Sequence, residues 1–168
     1  AMNWEPPVYH QCSYLKEKDV EQVHLNIAFD SIPFDHEDKY VLSILNSILG
    51  GGINSRLFVE IREELGLTYS IYSYGSSHKG AGLFHIYAAM NPAQTELVFD
   101  SIFKVIDTLI SSGIDEDELT MTVEQIKIDL VMASESVKSR MSSNAKSVMN
   151  RGYIISMEET IDRLNAVT

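Results

Sequence analysis

The sequence predicts an α+β fold, in which a mainly antiparallel sheet carries helices packed on one face. Two observations support this prediction: three segments alternate apolar and polar residues as strands do, and most other segments repeat apolar residues at helical spacing. The chain has 168 residues and 45% of them are hydrophobic, which is enough to bury a core. We therefore expect one domain over residues 1–168, without internal repeats.

The first third of the chain predicts a strand followed by a helix. Residues 1–19 include two adjacent prolines and predict an irregular leading segment. Residues 20–30 alternate like a half-buried strand, and residues 37–49 carry a stripe at helical spacing. The apolar sets are Val23, Leu25, Ile27 and Phe29 for the strand, and Val41, Ile44, Leu45, Ile48 and Leu49 for the helix.

Three consecutive glycines, at positions 50–52, are expected to end this helix. Glycine accepts positive φ, so a glycine run suits a sharp angle between two helices. A second helix is expected directly after it, with Gly66 as its C-cap. The apolar residues of this second helix recur at steps of four: Ile53, Leu57, Ile61 and Leu65.

The remainder of the chain predicts a hairpin and then helices. Residues 67–76 and 82–90 alternate as strands, and the loop 75–81 joins them. Acidic residues from Asp115 onward mark a helix start, where negative charge is favoured. The expected helices cover 94–112, 115–149 with a break near 134–136, and 158–165.

Charge and cysteine content exclude several classes of function. The net charge of −11 disfavours binding to nucleic acid and to anionic membranes, and no apolar run is long enough to span a bilayer. Cys12 is the single cysteine, which suits a reducing compartment and predicts a cytoplasmic protein. Ala1 before Met2 is typical of a residue left by tag removal, so we expect a fragment of a longer parent.

The segment from Leu49 to Tyr74, LGGGINSRLFVEIREELGLTYSIYSY, carries the functional signal. Glycines before a helix could bind phosphate, but a Walker loop needs Gly-Lys-Ser/Thr and a Rossmann loop needs a preceding strand. Neither condition is met here. The segment also resembles the insulinase/pitrilysin zinc metallopeptidases, through the pattern GG-x-x-SRL-x-x-x-x-R-x-x-x-GL-x-Y in their C-terminal half. This resemblance extends over essentially the whole chain.

The resemblance implies a substrate-binding half of an endopeptidase in which two halves close around a peptide. The other half would bind zinc through an inverted His-x-x-Glu-His motif, and this half would contribute Arg62 and Tyr69. An arginine fork can hold a carbonyl or a carboxylate, and a phenol can donate to an oxygen that gains charge. Without the resemblance, Arg62 would simply pair with Glu63 or Glu64, and Tyr69 would be an ordinary strand aromatic.

No zinc motif occurs in this chain, so we expect no metal site and no cofactor here, with zinc in the parent's N-terminal half. His24 and His85 could meet across adjacent strands, but two imidazoles make a poor zinc site. The chain alone should not cleave peptides, whereas the parent should be a zinc metalloendopeptidase. The implied partners are the zinc-bearing half and a peptide, with a homodimer also possible. The alternative is a non-catalytic scaffold subunit of the same family.

Overall fold

The computed structural model describes residues 10–16 and 20–168, which form three β-strands, five α-helices, a π-helix and a short 3-10 helix at Pro92–Gln94. Within the leading segment predicted over 1–19, residues 10–16 have no regular secondary structure, and the rest lies outside the described residues. No helix in the described part of the chain is both long enough and apolar enough to cross a bilayer.

The sheet consists of β1 (Val23–Ser31), β2 (Thr68–His78) and β3 (Ala81–Met90) in the order β1-β3-β2. Both pairs are antiparallel. The predicted seven-residue hairpin loop is wrong, because pairing continues to His78 opposite Ala81 and leaves only Lys79 and Gly80 in the turn. Gly80 has φ +72°, a left-handed backbone conformation that glycine adopts at no steric cost.

The predicted alternation in β1 and β3 is confirmed by the register. Ile27 of β1 lies opposite Ile86, and Leu25 lies opposite Ala88, so both strands turn apolar side chains to one face. That face is covered by helices, while the opposite face carries polar and aromatic side chains. The sheet therefore has one covered face and one open face.

The helices begin close to the predicted positions, and most starts are capped by side chains. Ser136 separates two of them, which confirms the predicted break, and its hydroxyl accepts from the amide of Ser139. Asp115 and Ser156 accept in the same way at the N-caps of the helices that begin at Glu116 and Met157. The helices are α1 (Lys39–Gly50), α2 (Thr95–Ser112), α3 (Glu116–Glu135), α4 (Val137–Arg151) and α5 (Met157–Asn165).

Two apolar clusters hold these layers together and confirm the α+β prediction. The larger cluster lies between the sheet and a layer formed by α1, α2 and the π-helix. The smaller cluster joins α1 to α3 and α5 through Ile44, Ile48, Val123 and Leu164. Helix α1 contributes to both clusters, so it connects the sheet layer to the C-terminal helices.

Candidate functional site

The segment after the glycines is a π-helix, Phe58–Glu64, rather than the regular α-helix that the sequence predicts. The predicted stripe at steps of four is only half right. Leu57 and Ile61 are completely buried, whereas Ile53 lies in the turn before the helix and Leu65 follows its last residue, and both are exposed. Gly66 at φ +63° ends the helix as predicted, and the amide of Leu67 donates to the carbonyl of Ile61.

Lack of space requires two of the three glycines and backbone angle requires none of them, so the predicted reason for the glycines is wrong. None of the three glycines has a positive φ. A Cβ on Gly50 would lie 2.5 Å from the backbone nitrogen of Ser73, and one on Gly51 would lie 2.7 Å from Cα of Ser47. A Cβ on Gly52 would meet nothing within 4 Å. The end of α1 therefore approaches β2 more closely than a side chain permits.

The Ser-Arg-Leu sequence that follows the glycines builds the start of the π-helix. The hydroxyl of Ser55 donates to the carbonyl of Gly52 at 2.6 Å. The guanidinium of Arg56 donates to both carboxylate oxygens of Glu118 and, at 3.0 Å, to the carbonyl of Gly113. Arg56 thus connects this segment to the junction between α2 and α3.

Replacing Arg56 with alanine should destabilise the chain by about 1–3 kcal/mol, because the ion pair is bidentate and three-quarters shielded from solvent. The hydrogen bond that Arg56 donates to Glu118 raises the pKa of Arg56, so deprotonation of the arginine removes this contribution only as the pH rises through that raised pKa. Urea unfolding checks the prediction. Arg163→Ala, which removes an exposed 3.8 Å pair with Glu159, is the control and should change stability little.

Arg62 and Tyr69, the predicted substrate-binding pair, lie on either side of the Gly66 turn. Arg62 is in the last turn of the π-helix and is exposed, with its guanidinium 4.8 Å from the ring centroid of Phe58. Within the described residues it forms no ion pair with Glu63 or Glu64. Its exposed fork is therefore supported by an aromatic ring instead of by a carboxylate.

Tyr69 lies in a β-bulge at the start of β2. Thr68 pairs with Met90 and Ser70 with Ala89, so Tyr69 is the extra residue, and its side chain is 57% exposed. Bulges re-aim side chains and occur often beside functional sites. No hydrogen bond joins Tyr69 to Arg62 in the described part of the chain, and their shared role stays a prediction.

The open face of the sheet carries a network that the sequence analysis did not identify. His24 lies within hydrogen-bonding distance of the Tyr87 hydroxyl at 2.6 Å, and His85 lies 3.2 Å from the side-chain oxygen of Asn26. His85 also stacks on Tyr74 with ring centroids 4.6 Å apart. The polar residues of the alternating strands are visible in the sequence. The network combines residues of all three strands, however, so predicting it would have required the strand register.

His24 and His85, which adjacent strands could have brought together, do not meet. His24 lies opposite Ala89 and His85 opposite Ala28, so the two rings are four positions apart along the strand pair and have different partners. Within residues 10–16 and 20–168, no group of three or more histidine, cysteine or acidic side chains could hold a metal ion. The described residues therefore do not fit a zinc site.

Residues 5–126 match the family model described as "Peptidase M16 inactive domain". The chain is 38% identical to the uncharacterized zinc protease YmxG of Bacillus subtilis, over 99% of this chain and 41% of that protein. It is 32% identical to an uncharacterized zinc protease of Streptomyces coelicolor, over 90% of this chain and 33% of that protein. The chain thus spans about two fifths or less of the length of these relatives.

Solved structures give the same result for the fold. The peptidase M16 inactive domain from Pseudomonas fluorescens superposes with a TM-score of 0.74 at 26% identity, covering 88% of this chain and 35% of that chain. A protease from Helicobacter pylori superposes with a TM-score of 0.81 at 20% identity, covering 90% and 36%. With the motif, the fold and the relatives in agreement, the chain belongs to the M16 family of zinc peptidases, as a C-terminal domain of the inactive type.

Proposed function

We propose that this domain is the substrate-binding half of a zinc-dependent endopeptidase whose two halves close around a peptide. Its relatives are named zinc proteases and are more than twice as long, so the metal and the attacking water would belong to the part of the parent that this chain does not include. The domain alone is then expected to be inactive. Its contribution is to hold the peptide and to stabilise charge on the scissile carbonyl.

The placement of Arg62 and Tyr69 is the observation that supports this proposal. Both side chains are exposed, and both flank the turn at Gly66. This turn connects the π-helix, which is part of the layer that covers the sheet, to the edge strand β2. Neither has an ion-pair partner among the described residues that would compete with a ligand. An exposed cation and an exposed phenol at one sheet edge can contact the same extended peptide.

The two side chains would have different tasks. The guanidinium of Arg62 presents its donors in a planar fork that suits a backbone carbonyl or a terminal carboxylate. This contact would stabilise the ground state and the transition state alike. The phenol of Tyr69 donates a single hydrogen bond, which strengthens as the scissile carbonyl oxygen becomes negative. Arg62 is thus proposed to act mainly in binding, and Tyr69 mainly in the reaction.

Further aromatic groups follow Tyr69 along the same edge strand. Tyr72 and Tyr74 are exposed on the open face, and the Tyr72 ring lies 4.8 Å from that of Tyr87. Such rings provide apolar contact area with a hydrogen-bonding end. They would extend the peptide contact from the bulge across the open face.

Replacing Arg62 with alanine in the full-length parent should raise KM by about 10- to 100-fold and leave kcat nearly unchanged, because a charge-assisted hydrogen bond is worth about 1.5–3 kcal/mol and is made in both states. Steady-state cleavage of a fluorogenic peptide measures both constants. Arg163→Ala is a matched control, since Arg163 is an exposed arginine on α5.

The same assay tests the alternative that the parent is a scaffold subunit. A parent that cleaves no peptide when saturated with zinc would support the scaffold and contradict our proposal. If the parent cleaves peptides but Arg62→Ala does not change KM, the peptidase function stands and the binding role of Arg62 is refuted.

A further inference from the structure

Helix α4 turns its apolar side away from the rest of the domain. Its buried residue is Ser147, whose hydroxyl donates to the carbonyl of Tyr153 at 2.8 Å. An amphipathic surface helix normally buries its apolar stripe. In α4 the stripe is exposed instead: Val137 by 74%, Met141 by 65% and Val148 by 47%.

Helix α3, which precedes α4, is apolar on two opposite sides. Its inner side packs against the cluster shared with α1 and α5, through Leu119, Val123, Ile126 and Leu130. Helical periodicity places a second stripe about half a turn away from this one. That outer stripe is also exposed: Met121 by 66%, Ile128 by 56% and Met132 by 62%.

The two exposed stripes have opposite charges beside them. Helix α4 carries four basic residues and no acidic one, in a chain whose net charge is −11. Helix α3 carries six acidic residues and one lysine. At 100° per residue, Lys138 and Arg140 border the α4 stripe on its two sides, as Glu124 and Asp129 border the α3 stripe. Lys138 and Arg140 are exposed and form no ion pair with the described residues.

We propose that this α3–α4 surface, defined by the six exposed side chains above, binds a second copy of the same chain. In a two-fold pair, α4 of one copy lies along α3 of the other, and the same contact is repeated on the other side of the axis. In this dimer both apolar stripes are buried, and the basic residues beside the α4 stripe face the acidic residues beside the α3 stripe. Its rival occupant is another part of the parent, which would leave the 168-residue chain monomeric in the tests below.

The first test is the mass of the 168-residue chain in solution. Analytical ultracentrifugation across a wide concentration range should show a species of twice 18.9 kDa for the unmodified chain. The variant Lys138→Glu/Arg140→Glu should weaken the pair at least about tenfold, since like charges would then face each other. Acidic residues suit the first turn of α4, so this variant is expected to fold. Lys16→Glu/Lys79→Glu, with the same charge change elsewhere, should remain paired.

The second test uses charge reversal on both helices. Glu124→Lys/Asp129→Lys alone should weaken the pair to a similar extent, because α3 would then repel α4 of the other copy. An equimolar mixture of the two reversed variants should regain the dimer, since each α4 then meets an α3 of opposite charge. Circular dichroism verifies that each variant is folded. A monomeric unmodified chain, or folded reversed variants whose mixture stays monomeric, would overturn the proposal.

Discussion

Tyr69→Phe in the full-length parent should lower kcat by about 10²–10³-fold while KM changes little. This is the effect of removing one preorganised donor to an oxygen that becomes charged in the transition state. The bulge at Thr68–Ser70 positions the side chain, and phenylalanine keeps its ring and its exposed location. Steady-state kinetics on a peptide substrate separates the two constants.

Tyr72→Phe is the matched control for that experiment. Tyr72 is on the same strand and is 42% exposed, with its ring tilted against that of Tyr87, but it lies away from the bulge. Tyr72→Phe should therefore lower kcat far less than Tyr69→Phe does. Equal kcat values for Tyr69→Phe and the unmodified parent would refute the proposed role of the phenol.

Gly50→Ala should destabilise the domain by roughly 1–3 kcal/mol, which corresponds to a fall in Tm of about 3–10 °C. The added Cβ would collide with the backbone nitrogen of Ser73 at 2.5 Å, and a strand backbone cannot rotate aside as a side chain can. The collision would also disturb the hydrogen bond from the Ser73 hydroxyl to the side-chain oxygen of Asn46 at 2.8 Å. Calorimetric or chemical unfolding measures the loss.

Gly52→Ala tests whether the steric collision is the cause of the destabilisation by Gly50→Ala. It is the same substitution two residues later, and its Cβ would meet nothing within 4 Å. Its stability should stay close to that of the unmodified chain. If both variants were equally destabilised, the glycines would be needed for backbone freedom, contrary to the φ angles of the triplet.

The features that depend on local periodicity could be predicted from the sequence. The alternation of β1 and β3 depends on neighbouring residues, and so do the N-cap at Ser136 and the C-cap at Gly66. The motif that contains Arg62 and Tyr69 is also local, and it identified the family. These elements need no knowledge of how the chain packs.

The features that were missed depend on contacts between distant segments. The close approach at Gly50 involves Ser73, and the partner of Arg56 is 62 residues away. The open-face network combines three strands whose register the sequence does not specify. The π-helix is a further case, because its apolar residues recur closely enough to those of an α-helix that periodicity alone cannot separate the two.

The π-helix Phe58–Glu64, which contains Arg62, determines how a change in chain length would act on this segment. In a π-helix each amide donates to a carbonyl five residues back instead of four, so the segment holds an extra residue in the same length. Deleting one residue between Leu57 and Arg62 would let the tighter pairing form. Because the deleted residue is the extra one, the residues beyond it would keep their positions around the helix axis, so this segment should tolerate the loss of one residue better than the gain of one.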